Sequence, residues 1–347
     1  QFGRLNTEEK GEYLGKFDTD DCILVVYNDG NYEITDQELT QRFDPEKVLL
    51  IEKDKVGGAG VFDGVLTSKT LWEHSMKVSV IRESIHDYKP AFAEVKKVMD
   101  DAVLERKTQM TEHLRLLEAN QDKRLFWFEK GHGKLLSRNE VEITREDGSK
   151  EVVWADYILI ATGSRPRYLS HIPIDEKTIV TSDGIKNFTE FPKSMVVLGA
   201  GVIGCEFASV WKSFGSEVTI IEALPHLIAL EDESSSKQLE RAYRKRGINF
   251  ELGTRFQSAN RHDGGVTVTL EDGKQFTAEV LLVAVGRGPV SANIGYEEQG
   301  ITMDRGYILV DEKCRTNVPG IWAVGDLIPT LQLAHVGFAE GILVAEE

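Results

Sequence analysis

One stretch of the chain has the complete pattern of a dinucleotide-binding unit. An apolar run at residues 195–198 leads directly into Gly-Ala-Gly-Val-Ile-Gly at 199–204. A helical pattern of apolar residues follows, and a second apolar run at 218–221 ends on Glu222. Strand, glycine turn, helix, strand and acidic residue stand at the spacing that this fingerprint requires. The order predicts an α/β fold with parallel strands and crossover helices.

Each position of this pattern has a physical role in holding a nucleotide. Gly199 makes the tight turn, Gly201 lets the backbone approach a pyrophosphate, and Gly204 lets the helix pack on the strand. The helix N-terminus offers unpaired N–H groups and a positive dipole to the phosphates. Glu222 can accept a hydrogen bond from a ribose 2′-hydroxyl and would repel a 2′-phosphate, and no arginine immediately follows it. The predicted ligand is therefore NAD(H) rather than NADP; the alternative is a plain βαβ crossover without a nucleotide.

An internal duplication surrounds this unit. Residues 141–148 and 155–163 resemble residues 266–273 and 278–286. Both copies have an alternating strand, an Asp-Gly hairpin turn and a buried strand that ends in a small-x-Gly turn. Two unrelated hairpins are the alternative interpretation. If the copies share one architecture, the second is the NAD half and the first should hold a second dinucleotide.

The first copy has the acidic strand end but not the glycine turn. The apolar run at 48–51 ends on Glu52, as the run before Glu222 does. Gly199 stands 222 − 199 = 23 residues before Glu222, whereas the same offset from Glu52 falls on Asp29. Only Gly30 is present there, and Asp29 and Glu33 would repel phosphate. Residues 23–34 are better interpreted as a hairpin turned at 28–30, so the first βαβ unit is replaced or degenerate.

Composition limits the partners and the compartment. The net charge of −16 argues against nucleic acid and anionic membranes as partners. No apolar run is long enough to span a bilayer and no signal peptide opens the chain. The cysteines Cys22, Cys205 and Cys314 are far apart, without a Cys-x-x-Cys pair or a metal-ligand cluster. These observations predict a cytoplasmic protein with reduced thiols and no metal, in which Cys205 and Cys314 are buried small apolar residues.

Five motifs carry a resemblance to a known family. They lie at residues 161–166 (Ala-Thr-Gly-Ser-Arg-Pro), 199–208, 285–289, 316–326 and 333–341. From about residue 48 to residue 347 the chain resembles the dihydrolipoamide dehydrogenase branch of the class I pyridine nucleotide–disulfide oxidoreductases. The resemblance implies two Rossmann-like, three-layer FAD/NAD(P)-binding domains, with the NAD domain inserted in the FAD domain.

Four segments are expected on this basis. They are an atypical, hairpin-like N-terminal segment at 1–45, the first part of an FAD-type domain at 46–169, the NAD-binding domain at 170–288, and the second part of the FAD-type domain at 289–347. Two long helices are expected at about 68–85 and 92–118 in the first part. The second helix has an apolar stripe, which indicates core packing. The stripe comprises Val95, Val98, Met99, Ala102 and Val103.

The resemblance also implies roles for individual residues. Lys69 would approach the flavin N5 region and pair with Glu206, and Gly286 and Arg287 would line the NAD site. The residues implied to bind FAD are Glu52 (adenosine ribose), Gly57 and Gly58 (phosphates), Thr162, Gly163, Gly325 and Asp326 (ribityl chain). From the residues alone, Lys69 could be a surface lysine and Asp326 only a helix N-cap.

The sequence departs from the family pattern in three places. Gly60 and Val65 stand at the positions of the two redox cysteines, and neither can supply a thiolate. The FAD glycine turn is absent. The chain stops at Glu347, before the dimerisation domain into which the family continues, so a homodimer is expected only if that domain exists.

These observations lead to one favoured function and two alternatives. The favoured one is an NAD(H)-linked flavoprotein oxidoreductase that transfers hydride from NADH to FAD and then to a small-molecule acceptor other than a disulfide. This chemistry is diaphorase-like or transhydrogenase-like, with a quinone, dye, oxygen or second nucleotide as the acceptor. The alternatives are a dihydrolipoyl dehydrogenase that acts without the dithiol, and a non-catalytic NAD-binding remnant or chimeric fragment.

Overall fold

Strands and helices alternate along the computed structural model of the chain, which describes residues 23–26, 32–35, 48–119 and 126–346. Near the N-terminus, β1 (Ile23–Val26) and β2 (Tyr32–Thr35) pair antiparallel. This is the pairing that the hairpin interpretation predicts. The predicted turn at 28–30, including Asp29 and Gly30, lies outside the described residues.

The first FAD-type part begins with a parallel strand pair. β3 (Val48–Glu52) pairs with β4 (Phe126–Lys130) in a register that sets Glu52 opposite Lys130. Three helices lie between these strands: α1 (Gly58–Phe62), α2 (Val65–Ser84) and α3 (Phe92–Ala119). The last two agree with the helices predicted at 68–85 and 92–118. They provide the long connection that two parallel strands require.

An antiparallel meander and two short strands complete this part. They are β5 (His132–Ser137), β6 (Glu140–Thr144), β7 (Lys150–Trp154), β8 (Ile158–Ile160) and β9 (Ser164–Pro166). β6 and β7 turn at Gly148, whose φ of 80° is the left-handed conformation that glycine tolerates. The predicted Asp-Gly hairpin is therefore present in the first copy of the duplication.

The NAD-type unit is built on five parallel strands. Its elements are β10 (Ile179–Val180), a 3-10 helix (Ser182–Asn187), β11 (Ser194–Leu198), α4 (Val202–Phe214), β12 (Glu217–Glu222), α5 (Glu233–Arg246), β13 (Asn249–Leu252), β14 (Phe256–His262), β15 (Gly265–Leu270), β16 (Gln275–Ala278) and β17 (Val280–Val283). The strand order in the sheet is β10-β17-β11-β12-β13. β14, β15 and β16 form a separate antiparallel meander, so the second copy repeats the architecture of the first.

The sheet of this unit separates two apolar cores. Because neighbouring residues of a strand face opposite sides, Val197 of β11 packs with α4 whereas Val196 packs with the β14–β16 meander. Trp211 of α4 is buried in the first core and Val268 of β15 in the second. Helices, parallel sheet and meander thus form the three layers that were predicted.

The strands before and after the NAD-type unit are neighbours. β18 (Arg287–Pro289) pairs with β9, and β21 (Ile321–Ala323) pairs in parallel with β8. Between them lie β19 (Met303–Asp304) and β20 (Tyr307–Ile308); a second 3-10 helix (Gly325–Leu327) and α6 (Ala334–Ala345) follow. The NAD-type unit is therefore inserted within the other one, as predicted. The residue boundaries at 45, 169 and 288 stay predictions.

Helix α2 joins the two halves. Leu71 and Val78 of α2 are buried in the same core as α4, and Ser79 Oγ donates to Ser213 Oγ at 2.9 Å. Arg82 also donates to the carbonyl oxygen of Ser213, near the C-terminus of α4. In α3, Val95 and Met99 are buried, but Val98 is 43% exposed. The predicted apolar stripe was wrong at Val98, which faces away from the core.

Among the helices of the described residues, none is both long and apolar enough to cross a membrane. The cytoplasmic location stays a prediction.

Candidate functional site

The glycine turn between β11 and α4 forms an open cradle. Gly199 has a φ of 104°, and a β-carbon there would lie 2.4 Å from the carbonyl oxygen of Ala284. A β-carbon on Gly204 would lie 2.0 Å from the carbonyl oxygen of Gly199, so this glycine allows the helix to pack against the turn. At Gly201 nothing lies within 4 Å of the added position. The backbone is therefore accessible at Gly201, where a pyrophosphate would approach the N-terminus of α4.

Glu222 lies beside this cradle at the end of β12. Its Oε2 accepts from the Ala200 N–H at 2.7 Å and its Oε1 from the Leu224 N–H at 2.9 Å. These bonds orient the carboxylate, and each oxygen keeps a second lone pair for a ribose hydroxyl. The geometry fits the predicted preference for a nucleotide without a 2′-phosphate.

Lys69 of α2 and Glu206 of α4 are brought together, as the resemblance implied. Lys69 Nζ lies 2.6 Å from Glu206 Oε1 and 2.8 Å from Oε2. Both residues line the same cavity as the glycine turn. The pair therefore stands where the two halves meet, one turn into α4 from the nucleotide cradle.

Gly60 and Val65 lie on the wall of this cavity, on either side of Asp63. Asp63 is held by an ion pair with Lys186 of the 3-10 helix. Val65 begins α2 and is 47% exposed, and a β-carbon on Gly60 would meet open space. Among the described residues, no thiol stands at this part of the wall.

The two cysteines in the described part of the chain do not replace a redox pair. Cys205 and Cys314 are buried and free. Burial raises the pKa of Cys205 to about 12, and burial likewise raises the pKa of Cys314. Both pKa shifts disfavour the thiolate that nucleophilic chemistry needs. Cys22 lies outside the described residues.

The residues implied to bind FAD mostly face the same cavity. Those that line it are Glu52, Gly58, Thr162, Gly163, Gly325 and Asp326. A β-carbon would meet open space at Gly58, Gly163 and Gly325, as it would at Gly201. Gly57 differs, because a β-carbon there would lie 2.6 Å from Val61 Cγ2. Gly57 packs against α1 and is not among the residues that line the cavity, and its place against the FAD phosphates stays a prediction.

Ser164 joins two of the predicted residues and was not itself predicted. Its Oγ donates to Asp326 Oδ2 at 2.5 Å, and Arg287 Nε donates to this Oγ at 2.8 Å. Arg287 also donates to the Ser164 carbonyl oxygen at 2.7 Å. The guanidinium of Arg287 is thus tied to the FAD-type side and also lies 3.6 Å from Asp183 of the NAD-type unit; its place in the NAD site stays a prediction. In the sequence, the only indication of a role for Ser164 was its place in the motif at 161–166, where Arg165 and Pro166 follow it.

Asp326 and its neighbour are fixed by side-chain contacts rather than by a helix cap. No side-chain cap is present at the 3-10 helix Gly325–Leu327, and α6 begins only at Ala334. The N-cap alternative for Asp326 is therefore wrong. The buried Glu340 of α6 accepts from the Gly325 N–H at 2.6 Å and from Thr330 Oγ1 at 2.8 Å. Glu340 positions this segment, and sequence reasoning had not assigned it a role.

Glu222, the Lys69–Glu206 pair, the Ser164 network and the open glycines line one cavity of about 4440 Å³. Pockets for a single small ligand have volumes of about 300–1,000 Å³. The cavity therefore has room for more than one dinucleotide, and its open glycines and oriented carboxylates fit NAD on one side and FAD on the other. Within the described part of the chain, no group of His, Cys, Asp and Glu residues could hold a metal ion.

These features define a class of protein, namely an α/β protein with two Rossmann-like units around a shared nucleotide cavity. Residues 37–341 match the profile of the family described as pyridine nucleotide-disulphide oxidoreductase. The chain belongs to this family. Members of its dihydrolipoyl dehydrogenase branch depend on FAD and NAD.

Similar proteins support the predicted branch. The chain is 37% identical over 302 residues to dihydrolipoyl dehydrogenase of Cupriavidus necator, which covers 84% of the chain and 62% of that protein. It is 33% identical over 307 residues to leghemoglobin reductase of Glycine max, covering 86% and 59%. Among solved structures, LpdA from Mycobacterium tuberculosis has a TM-score of 0.77 at 28% identity, covering 86% of this chain and 65% of that one. The chain thus spans less than two thirds of the length of each, and the predicted resemblance is confirmed.

Proposed function

We propose that this chain is an NAD(H)-linked flavoprotein oxidoreductase whose final acceptor is not a disulfide. The observation that carries the proposal is the Lys69–Glu206 pair, which joins the two halves within the cavity that holds the NAD-type cradle. Beside the pair, Gly60 and Val65 offer no thiol. These features support a scaffold for hydride transfer between two nucleotides, and among the described residues no thiol stands beside the pair to pass electrons to a disulfide.

The chain's own residues would do the binding and the positioning. Gly199, Gly201 and the α4 N-terminus would hold the NAD pyrophosphate, and Glu222 the ribose. On the opposite side, Glu52 and Asp326 would accept hydrogen bonds from the ribose and ribityl hydroxyls of FAD. When bound, FAD would supply the chemistry of accepting hydride and passing on electrons.

Lys69 would contribute charge near the flavin. Glu206 Oε1 and Oε2 both accept from its ammonium, which fixes the direction of a flexible side chain. A fixed positive charge favours the negative charge that builds up when a bound group accepts hydride. Glu206, one turn into α4, would thereby position Lys69 relative to the NAD cradle.

An acceptor other than a small disulfide has support among the relatives. Two proteins that are 33% and 34% identical to the chain are named leghemoglobin reductase, a name that refers to a protein acceptor. For this chain we favour a small molecule as the acceptor, because Gly60 and Val65 stand on the wall of a cavity, which a small molecule can enter. Nucleic acid and membrane are disfavoured as partners by the net charge of −16.

The proposal is tested by loading the purified chain with FAD and adding NADH without oxygen. Bleaching of the visible flavin absorbance, followed by recovery when a quinone or a dye is added, is the expected result. A parallel assay with lipoamide as the acceptor tests the dihydrolipoyl dehydrogenase alternative, which requires robust lipoamide-dependent oxidation of NADH. Failure of the flavin to bleach would refute the proposal.

A non-catalytic NAD-binding remnant is the second candidate. It is favoured by the FAD-type half, where, within the described residues, β3–β4 and β8–β21 are separate two-stranded pairs. The NAD-type half has five strands in one sheet. A remnant would bind NADH with normal affinity but would neither retain FAD nor bleach it.

A further inference from the structure

One carboxyl group on the cavity wall is not used by the proposed function. Asp183 stands in the 3-10 helix Ser182–Asn187 and lines the cavity with a side chain that is 29% exposed. Ser182 Oγ donates to its Oδ1 at 3.2 Å, and Arg287 Nη1 lies 3.6 Å from the same oxygen. The carboxyl group is therefore both held in place and accessible from the cavity.

Asp183 is close to Asp63, and both residues line the cavity. Asp63, between Gly60 and Val65, is paired with Lys186 of the same 3-10 helix as Asp183. Lys55 Nζ also lies 4.0 Å from Asp63 Oδ1. Asp63 is close enough to act on Asp183 by charge repulsion.

The surroundings of Asp183 raise its pKa. Burial raises the pKa of Asp183, and the charge of Asp63 adds to the increase. Arg287, Ser182 and Lys186 act in the opposite direction but do not outweigh burial. Tyr168 also interacts with Asp183, and its pKa is raised, first by burial and further by nearby acidic groups that include Asp183.

Three other carboxylates that line the cavity have closer partners. Glu206 binds the Lys69 ammonium at 2.6 Å, Asp63 binds Lys186, and Asp326 accepts from Ser164 at 2.5 Å. The contact of Asp183 with a cation is longer, at 3.6 Å. Of these four carboxyl groups, Asp183 is therefore the one that its neighbours hold least tightly.

We propose that Asp183 donates the proton that a quinone acceptor needs when it is reduced in this cavity, with Arg287 as the positioning residue. The proposal rests on the proposed function and names the acceptor class. The quinone gains two electrons and one hydrogen from the hydride of NADH. The O–H bond of Asp183 breaks as a new O–H bond forms on the second quinone oxygen, giving hydroquinone and NAD⁺. The Asp183 carboxylate then takes a proton from water in the open cavity.

The test compares two acceptors that differ in their need for protons. Ferricyanide takes electrons without a proton, whereas a benzoquinone takes both. In the FAD-loaded chain, Asp183→Asn is expected to lower quinone turnover by about a hundredfold, within the range of general acid catalysis, and to leave ferricyanide turnover unchanged. Asp183→Glu should restore part of the quinone rate. Asp272→Asn, in the turn between β15 and β16, is the matched control and should change neither rate.

The pH profile gives a second criterion. Quinone turnover of the natural chain should fall as pH rises through the pKa of Asp183, and Asp183→Asn should remove this dependence. Equal losses with both acceptors would mean a structural role and would overturn the inference. If the natural chain turns over ferricyanide but not quinone, the inference is wrong and the proposed function is unaffected. If the natural chain turns over neither acceptor, the proposed function is refuted as well.

A measurement on the FAD-free chain is independent of activity. Because the folded-state pKa of Asp183 is raised above its ordinary value of 3.8, ionisation of Asp183 destabilises the folded state. Asp183→Asn should therefore melt at a higher temperature than the natural chain at neutral pH, and the difference should disappear below pH 3.8. A difference that does not change with pH would overturn the inference.

Discussion

Lys69 Nζ lies 2.6 Å from Glu206 Oε1, although 137 positions separate the two residues in the chain. Lys69 belongs to α2 of the FAD-type half and Glu206 to α4 of the NAD-type half. The Glu206 side chain is 16% exposed and the Lys69 side chain 59%. The bond therefore connects the two halves of the cavity at a point that solvent still reaches from one side.

Breaking this pair should affect hydride transfer more than folding. For Glu206→Gln we expect the rate of flavin reduction by NADH to fall on the order of a hundredfold, because Lys69 loses its orientation. The free energy of unfolding should change by less than about 1 kcal/mol, since one partner is mostly exposed. Rapid-mixing absorbance gives the rate and urea unfolding the stability. Lys77→Met breaks the exposed Lys77–Glu73 pair on the same helix and serves as the control. An equal loss of rate in the control would contradict the prediction.

Two glycines of the cradle should respond differently to alanine. Gly201→Ala adds a methyl group in open space, so the chain should fold normally and bind NADH about tenfold more weakly or worse. Gly204→Ala places a methyl group 2.0 Å from the carbonyl oxygen of Gly199 and should destabilise the fold by about 1–3 kcal/mol. NADH fluorescence titration and thermal melting separate the two effects. Normal NADH affinity in Gly201→Ala would argue against a pyrophosphate at this turn.

The buried cysteines should be chemically inert in the folded chain. With a pKa of about 12, Cys205 has almost no thiolate at neutral pH, and Cys314 is also shifted upwards. A thiol reagent followed by peptide mapping should label both residues only after unfolding in guanidinium. Val65→Cys provides the positive control, because this position is on the cavity wall and should be labelled in the folded protein. Rapid labelling of Cys205 in the folded chain would reopen the question of a redox thiol.

Asp175 should contribute stability that depends on pH in the opposite direction to Asp183. Burial raises the pKa of Asp175, but backbone N–H groups of Ile179, Lys177 and Thr178 and the guanidinium of Arg261 outweigh it and lower the pKa to about 2. The folded-state pKa is thus below the ordinary value of 3.8, so the stability is present above pH 3.8 and is lost as pH falls towards about 2. Urea unfolding of the natural chain and of Asp175→Asn should differ at neutral pH and converge near pH 2. If the difference in the free energy of unfolding between the two proteins widens in acid, the predicted role of Asp175 is wrong.

Features that are set by residues close together in the sequence could be predicted from it, whereas contacts between distant residues could not. The turn from Gly199 to Gly204, Glu222 and the two meanders are each set by residues that are close in sequence, and the structure agrees with them. The Asp63–Lys186 ion pair joins residues 123 positions apart and has no local pattern. Val98 was misplaced for a related reason, because helical spacing predicts a stripe but not how much of it the neighbouring elements cover. The resemblance assigned Gly57 to the FAD phosphates, and only the structure shows that Gly57 packs against Val61.

The network around Ser164 gives the remaining prediction, because it connects three segments that the inserted NAD-type unit separates in sequence. Ser164 Oγ donates to Asp326 Oδ2 at 2.5 Å and accepts from Arg287 Nε at 2.8 Å, so one hydroxyl orients both charged groups. Ser164→Ala should weaken FAD binding by about tenfold, since hydrogen bonds to charged groups contribute about 1.5–3 kcal/mol. NADH affinity should not change, because the cradle at Gly201 makes no bond with this network.

Titration of the FAD-free chain with FAD, followed by flavin fluorescence, measures the effect. Ser137→Ala removes a comparable hydroxyl contact, the 2.9 Å bond to Glu140 in the first meander, and should leave FAD affinity unchanged. If Ser164→Ala binds FAD as tightly as the natural chain, Asp326 does not hold the flavin through this orientation. The FAD-type side would then depend on Glu52 at the end of β3 and Gly58 at the start of α1, which line the same cavity.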